Sequence, residues 1–190
     1  MRFGTWVVSS LYRSGSLIAA ARELARYKLD LVIVQRFTWD KGGTLRPGDY
    51  IFWYGKGNEN HELRTGLFVR QRIASAVKRV EFLGNRMSYI VLRGRLCNII
   101  VLNVRAPSEE KCGDSEGSYY EELEQGFGHF SQYHIKILLG DFNAKLGRED
   151  ILKPTTGNLR LHQDSNGNGV RIVNLAMSKN LVFKSTMFLQ

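Results

Sequence analysis

Residues 135–143 read Ile135-Lys136-Ile137-Leu138-Leu139-Gly140-Asp141-Phe142-Asn143. Ile135 to Leu139 has the length and aliphatic content of a strand buried in a sheet, and its end delivers a carboxylate and, two residues on, a carboxamide. Side chains alternate along an extended chain, so Asp141 and Asn143 fall on one side of it at the sheet's end. There Asp141 can hold a water or a metal ion and Asn143 can donate to a phosphate oxygen. Equally, the two can close an Asx turn that only terminates the strand. Two more apolar runs end alike: Leu31-Val32-Ile33-Val34 runs into Gln35-Arg36, and Ile99-Ile100-Val101-Leu102 into Asn103-Val104-Arg105-Ala106-Pro107. Three buried strands with polar ends predict a site along one sheet edge.

Outward from these strands, the rest of the chain takes shape. Phe3 to Val8 reads as a first strand. Ser14 or Ser16 then caps a helix reaching about Lys28, with Leu17, Ala20, Ala21, Leu24 and Ala25 on one face. With Leu29 to Gln35 this makes a βαβ-like unit. Strands at Tyr50–Tyr54, Gly66–Val69, Met87–Arg93 and Cys97–Val104, separated by turn chemistry such as Gly55-Lys56-Gly57-Asn58, predict an antiparallel middle. Residues 114–130 read as an acidic helix, Asn166–Gly169 as a turn, Val170–Lys179 as a helix with Ile172, Val173, Leu175 and Ala176 inward, and Leu181–Phe188 as a last strand. The sum is one mixed α/β domain over residues 1–190, with more strands than helices.

At 190 residues, with 43% hydrophobic and 24% charged residues, the composition is that of an ordinary globular domain and excludes a disordered chain. The longest apolar run, Leu17 to Ala21, is far short of the roughly 20 residues that span a bilayer, and no signal-peptide pattern opens the chain. A nuclear or cytoplasmic location is expected, and Cys97 and Cys112 form no metal or disulfide pattern. His61, His129, His134 and His162 lie at no metal-ligand spacing. The net charge of +9 points to a polyanionic partner. Its distribution is uneven: residues 1–105 carry 18 Lys and Arg against 7 Asp and Glu, whereas residues 106–190 carry 9 against 11.

Five motifs taken in order, GTWVVSSLY (Gly4–Tyr12), LVIVQR (Leu31–Arg36), VLNVRAPS (Val101–Ser108), LLGDFNAKLG (Leu138–Gly147) and NGVRIVNLA (Asn168–Ala176), resemble the endonuclease/exonuclease/phosphatase family, and within it the LINE-type retrotransposon endonucleases. The resemblance runs from Phe3 to Phe188. It implies a four-layer α/β sandwich and Mg²⁺-dependent phosphodiester hydrolysis, in this branch the nicking of DNA. Asp141 and Asn143 match the family's catalytic positions, with Asp141 a weak metal ligand. Asn168 and Arg171 match its NG-x-R turn, where the arginine braces loops.

Other positions depart from that pattern. Where the family has an asparagine, a metal-binding glutamate and a tyrosine or histidine, this chain has Val7, Arg36 and Arg105. The family's closing Asp-His pair does not occur before Gln190, so the fold is expected to lack the C-terminal strands, leaving an open sheet edge that a protein partner could cover. Mg²⁺ takes oxygen ligands near 2.1 Å, and a guanidinium offers only donors and a fixed positive charge. Tight Mg²⁺ binding is therefore not expected, and hydrolysis is expected to be weak or absent. DNA or other nucleic acid remains the expected partner, met by Arg36, Arg105, Trp39 and Asn143. Two alternatives stand beside this reading: an active Mg²⁺-dependent endonuclease in which another acid such as Glu109 replaces the glutamate, and a non-catalytic protein-interaction remnant of a retrotransposon-derived gene.

Overall fold

A computed structural model describes residues 1–8, 11, 15–37, 39, 42–55, 64–83, 86–107, 114–146 and 164–182. The chain forms two compact units. One comprises Met1–Val104 with Ser131–Gly140, the other Arg105–Phe130 with Asp141–Gln190.

The first unit opens as the sequence predicts. β1 (Phe3–Val7) leads to α1 (Ser16–Arg26) and then β2 (Leu31–Phe37), which pairs parallel to β1. The helix cap differs from expectation: Ser16 lies inside α1, and Gly15, in left-handed geometry at φ 87°, precedes it. Ser16 instead donates its hydroxyl to Leu11 O. β2 starts two residues later than its apolar run because α1 closes in a Schellman motif. Lys28, at φ 56°, donates its N–H to Ala25 O, and Leu29 donates to Leu24 O. The buried face of α1, Ala20, Ala21 and Leu24, packs with Val32, Val34, Phe52 and Phe68.

β3 (Gly43–Leu45), β4 (Tyr50–Tyr54) and β5 (Arg64–Arg70) complete a sheet ordered β1-β2-β5-β4-β3. A short turn of helix, α2 (Gln71–Ala74), leads to β6 (Val77–Leu83), β7 (Met87–Leu92), β8 (Ile99–Arg105) and, later in the chain, β9 (Ile135–Asp141), which form a second sheet in that order. The expected antiparallel middle is present in the β4–β5, β6–β7 and β7–β8 pairs. Ile135 N–H bonds Asn98 O at one end and Ala106 N–H bonds Asp141 O at the other, so β8 and β9 run in the same direction. The two sheets face each other through Leu31, Ile33, Leu67 and Val69 on one side and Ile90, Leu92 and Val101 on the other. These aliphatic faces form one hydrophobic cluster of the unit, beside the aromatic-rich cluster under α1.

The second unit contains α3 (Asp114–Gly128) and α4 (Gly167–Ser178). α4 buries Ile172, Val173, Leu175 and Ala176, as its periodicity predicts. Residues 166–169, read as a turn, are the capped start of this helix: Asn166 is the N-cap and its side chain accepts from Gly169 N–H. An ion pair of 2.6 Å from Lys179 to Glu124 ties the two helices. The fold is mixed α/β, with two sheets and four helices among the described residues. The strand predicted at Leu181–Phe188 falls almost wholly outside them, as do Asp40, His61, Glu109, Cys112 and His162.

Candidate functional site

In the first unit, the ends of β1 and β2 carry Val7, Gln35 and Arg36. Val7 is exposed. Gln35 is buried, and its Nε2 donates to Asn103 Oδ1 at 2.7 Å and to Val104 O at 3.0 Å. Asn103, also buried, donates to Ser88 Oγ at 3.0 Å. This polar chain crosses from the first sheet to the second inside an otherwise aliphatic interior, and Gln35 Oε1 is buried there with no hydrogen-bond partner among the described residues.

Arg36 follows in a β-bulge. The β2–β5 register slips between Gln35, opposite Thr65, and Phe37, opposite Arg64. Arg36 takes φ 70°, a conformation costing about 1–2 kcal/mol for a residue with a Cβ. The bulge leaves Arg36 exposed on a strand whose other residues are all buried. Trp39 stands edge-on to Phe37 and Phe52 at 5.7 Å and to Tyr54 at 4.7 Å, half-buried in an aromatic cluster on the α1 side of the sheet. Trp6 and Trp53 are half-buried at the margins of the core.

In the second unit, Arg105 ends β8, half-buried, and Asp141 ends β9. Asp141 Oδ1 accepts the backbone N–H of Asn143 at 3.1 Å, so the Asx turn weighed from the sequence is formed. Asn143 sits at φ 45°, which asparagine tolerates better than most residues, and donates Nδ2 to Ala106 O at 2.8 Å. Gly140, just before this turn, has φ 145°, and a Cβ there would lie 1.8 Å from Val104 O. Only glycine can bring β9 so close to β8 at the residue that presents Asp141.

Further amides hold this turn in place. Asn166 Nδ2 donates to Asn143 O at 2.9 Å, while Asn166 Oδ1 accepts from Lys145 N at 2.7 Å and from Gly169 N at 2.8 Å. Asn168 is buried, donates to Pro107 O at 2.8 Å and receives the Tyr120 hydroxyl at 3.3 Å. Arg171 lies over the Tyr120 ring, 5.9 Å from its centroid. The structure thus joins Asp141, Asn143 and Asn168 through the 105–107 segment, next to Arg105. Val7, Arg36 and Trp39 belong to the other unit. Asn166, in the sequence only the start of a turn, and Tyr120 also belong to this arrangement. Asn166 carried a usable signal, an N-cap residue three positions before the Gly169 amide it receives.

The donor chemistry is poor in oxygen ligands. Among the described residues no three His, Cys, Asp or Glu side chains are grouped so as to hold a metal ion, and one Asp141 oxygen is already engaged by Asn143 N–H.

The packed sheets and the polar strand ends define the class of fold: the chain has the endonuclease/exonuclease/phosphatase fold. It is similar to the endonuclease domain of TRAS1, a telomere-specific non-LTR retrotransposon, with 13% identity, 92% of this chain and 70% of that one covered, and a TM-score of 0.58. It is similar also to the AP endonuclease LMAP from Leishmania major, at 12% identity, 92% and 65% coverage and a TM-score of 0.60. An endonuclease/exonuclease/phosphatase family protein from Leptotrichia buccalis matches at 12% identity, 76% and 67% coverage and a TM-score of 0.51. In sequence, the chain is 26% identical over 187 residues to craniofacial development protein 2 of Bos taurus, covering 98% of this chain and 31% of that protein. The chain therefore spans about a third of the length of the curated relatives it matches. No protein-family profile matches it. No helix among the described residues is long and apolar enough to cross a membrane.

Proposed function

We propose that this chain is an endonuclease-like domain that binds nucleic acid and hydrolyses phosphodiesters weakly or not at all. Arg36 carries the reading. It stands where the family pattern has a metal-binding glutamate, as the one exposed residue, at a bulge, of a strand otherwise buried. A divalent ion about 4 Å from a guanidinium would meet a repulsion of roughly 8 kcal/mol at an effective dielectric near 20, about twice that for two unit charges. On the same scale it cancels about half of the attraction of one carboxylate at ligand distance, and one carboxylate fills too few of the octahedral positions that Mg²⁺ demands. The donor set does not fit a resident Mg²⁺, while arginines at the β2 and β8 ends suit phosphate, which a guanidinium can meet through two parallel hydrogen bonds. The net charge of +9 supports the same partner, as do the endonuclease names of the structural relatives.

Incubation with supercoiled plasmid and Mg²⁺ tests the hydrolytic half of this reading. The expected result is no nicking above background; nicking that Asp141→Ala abolishes would establish an active endonuclease instead. Binding to a short duplex across a salt series tests the other half. Affinity should fall steeply as salt rises, because each phosphate contact releases counterions, and a flat profile would leave a protein-interaction role.

A further inference from the structure

The end of β2 away from Arg36 carries its own concentration of charge. Asp30, immediately before β2, has a side chain only 1% exposed. Its Oδ2 accepts Arg2 N–H at 2.8 Å, its Oδ1 takes Arg72 Nε at 2.9 Å and Nη2 at 2.6 Å, and its carbonyl accepts Arg70 N–H at 2.8 Å. The chain start at Arg2 and the β5–α2 junction at Arg70 and Arg72 thus meet at one buried aspartate, Arg2 and Arg70 through their backbone N–H and Arg72 through its guanidinium. Arg93, at the end of β7, donates its N–H to Ala76 O at 2.7 Å, just past the short helix that carries Arg72, and Arg95 follows in the β7–β8 turn. Lys28 lies two residues before Asp30. These contacts place Arg2, Arg70, Arg72 and Arg93 at one end of the first unit, its basic rim, and Lys28 and Arg95 lie two residues along the chain from Asp30 and Arg93.

Little opposes that charge. Asp30 is committed to Arg72 and the Arg2 amide, and Asp49 is the one exposed carboxylate that these contacts bring to the rim among the described residues, through Gln71 N–H to its carbonyl at 2.8 Å. Arg93, Arg95 and Lys28 are exposed and make no ion pair with a described carboxylate. A seven-residue strand is about 23 Å long, more than twice the Debye length of roughly 8–10 Å at moderate salt, so the rim and Arg36 act on a polyanion as separate charges. The rim is built from strand ends rich in arginine, not from an amphipathic helix with an apolar face of the kind membrane surfaces select.

We infer that this rim is a second nucleic-acid contact surface, on which Arg2, Lys28, Arg70, Arg72, Arg93 and Arg95 bind the phosphate backbone of duplex DNA or RNA. The inference goes beyond the proposed function and stands on different residues. Its test is a salt series of duplex binding, by fluorescence anisotropy, on the full chain and on the Arg93→Glu/Arg95→Glu double variant. Both side chains are exposed and pair with no described carboxylate, so the variant should melt with the parent. Its affinity should fall by roughly tenfold or more at low salt, and its log–log salt slope should lose about two units, near 0.9 for each contact removed. Parent-like affinity and slope would overturn the inference, and the neutral Arg93→Gln/Arg95→Gln pair should show the same losses in smaller measure. An Arg36→Glu/Arg105→Glu variant separates the two ideas. Loss there with none at the rim sinks this inference and leaves the proposed function, and the converse leaves the rim and sinks the strand-end contact. Rim-dependent binding to phosphatidylserine vesicles without duplex binding would also overturn it.

Discussion

Gln35 donates its carboxamide to Asn103 at 2.7 Å, joining β2 of one sheet to β8 of the other. Asn103 passes the connection to Ser88, and the surroundings are aliphatic. Asn103→Ala deprives one buried donor and one buried hydroxyl of a partner at once, an unsatisfied-group cost of about 1–3 kcal/mol. Urea denaturation of Gln35→Ala, Asn103→Ala and the double variant measures the coupling. The double variant should lose less than the two single losses together, by about 0.5 kcal/mol or more, and strict additivity would show that the pair does not cooperate.

Gly140→Ala should be among the most damaging single-methyl substitutions in this chain. Its φ of 145° is strained for any residue with a Cβ, and the new atom would lie 1.8 Å from Val104 O, a backbone atom that cannot swing aside. Collision and strain together predict a loss of about 3 kcal/mol or more, against a gain of about 0.4–1 kcal/mol for Ala at Gly126, inside α3, where a Cβ meets nothing within 4 Å. Thermal melts of the two variants side by side make the comparison.

Legibility divides along physical lines. β4 coincides with its aromatic run Tyr50–Tyr54, and the parallel β1–β2 pair follows from a strand-helix-strand pattern that admits few alternatives. β6, Val77–Leu83, is absent from the strands read in the sequence, and the register slip between Val77 and Arg79 breaks the period of two on which strand reading depends. β3 is three exposed residues with no periodicity to read. At the strand ends, Asp141 and Asn143 were legible as a pair, but the bulge at Arg36 was not: no glycine marks its positive φ, and the slip arises from pairing with β5. The Gln35–Asn103 contact spans 68 positions, and nothing local to either residue signals it.

Asp30 makes part of the stability depend on pH. Burial alone would raise its carboxyl pKa, but the Arg2 N–H and the Arg72 guanidinium outweigh burial and hold it below the ordinary value. A group whose folded pKa is depressed contributes stability that is fully present above the unfolded pKa, about 3.9 for aspartate, and is lost as pH falls through the folded value. Stability should therefore be insensitive to this group near neutrality and decline through it below about pH 4. Asp30→Asn should be less stable at neutral pH and show a shallower acid decline; parallel acid profiles for parent and variant would rule the linkage out.

Asn166 serves three backbone groups from one carboxamide: it caps α4 at Gly169 N, receives Lys145 N and donates to Asn143 O. Removing an N-cap alone costs about 1 kcal/mol, and two further lost bonds bring the expectation for Asn166→Ala to roughly 2–3 kcal/mol. Asn166→Asp keeps both acceptor roles and adds a favourable charge at the helix N-terminus, but it cannot donate to Asn143 O. It should recover more than half of the loss. Chemical denaturation gives the stabilities, and amide exchange at Lys145 and Gly169 should quicken in Asn166→Ala and recover in Asn166→Asp.

Arg36→Glu restores the ligand type that the family pattern has at this strand end and exchanges a repelling charge for an attracting one. If the guanidinium is what rejects a divalent ion, the variant should gain a metal-dependent rise in melting temperature that the parent lacks. A ligand present at about a hundred times its dissociation constant adds roughly 2.7 kcal/mol to stability, readily seen in a melt with millimolar Mg²⁺ or Mn²⁺. Arg36→Gly separates charge from ligation: it accepts the φ of 70° without strain and removes the positive charge but supplies no oxygen. A metal-dependent shift in the glutamate variant alone would show that a missing ligand limits binding. A shift in both would make repulsion the dominant barrier. No shift in either would place the obstacle elsewhere, at Val7 or Arg105, and withdraw the central role given to Arg36.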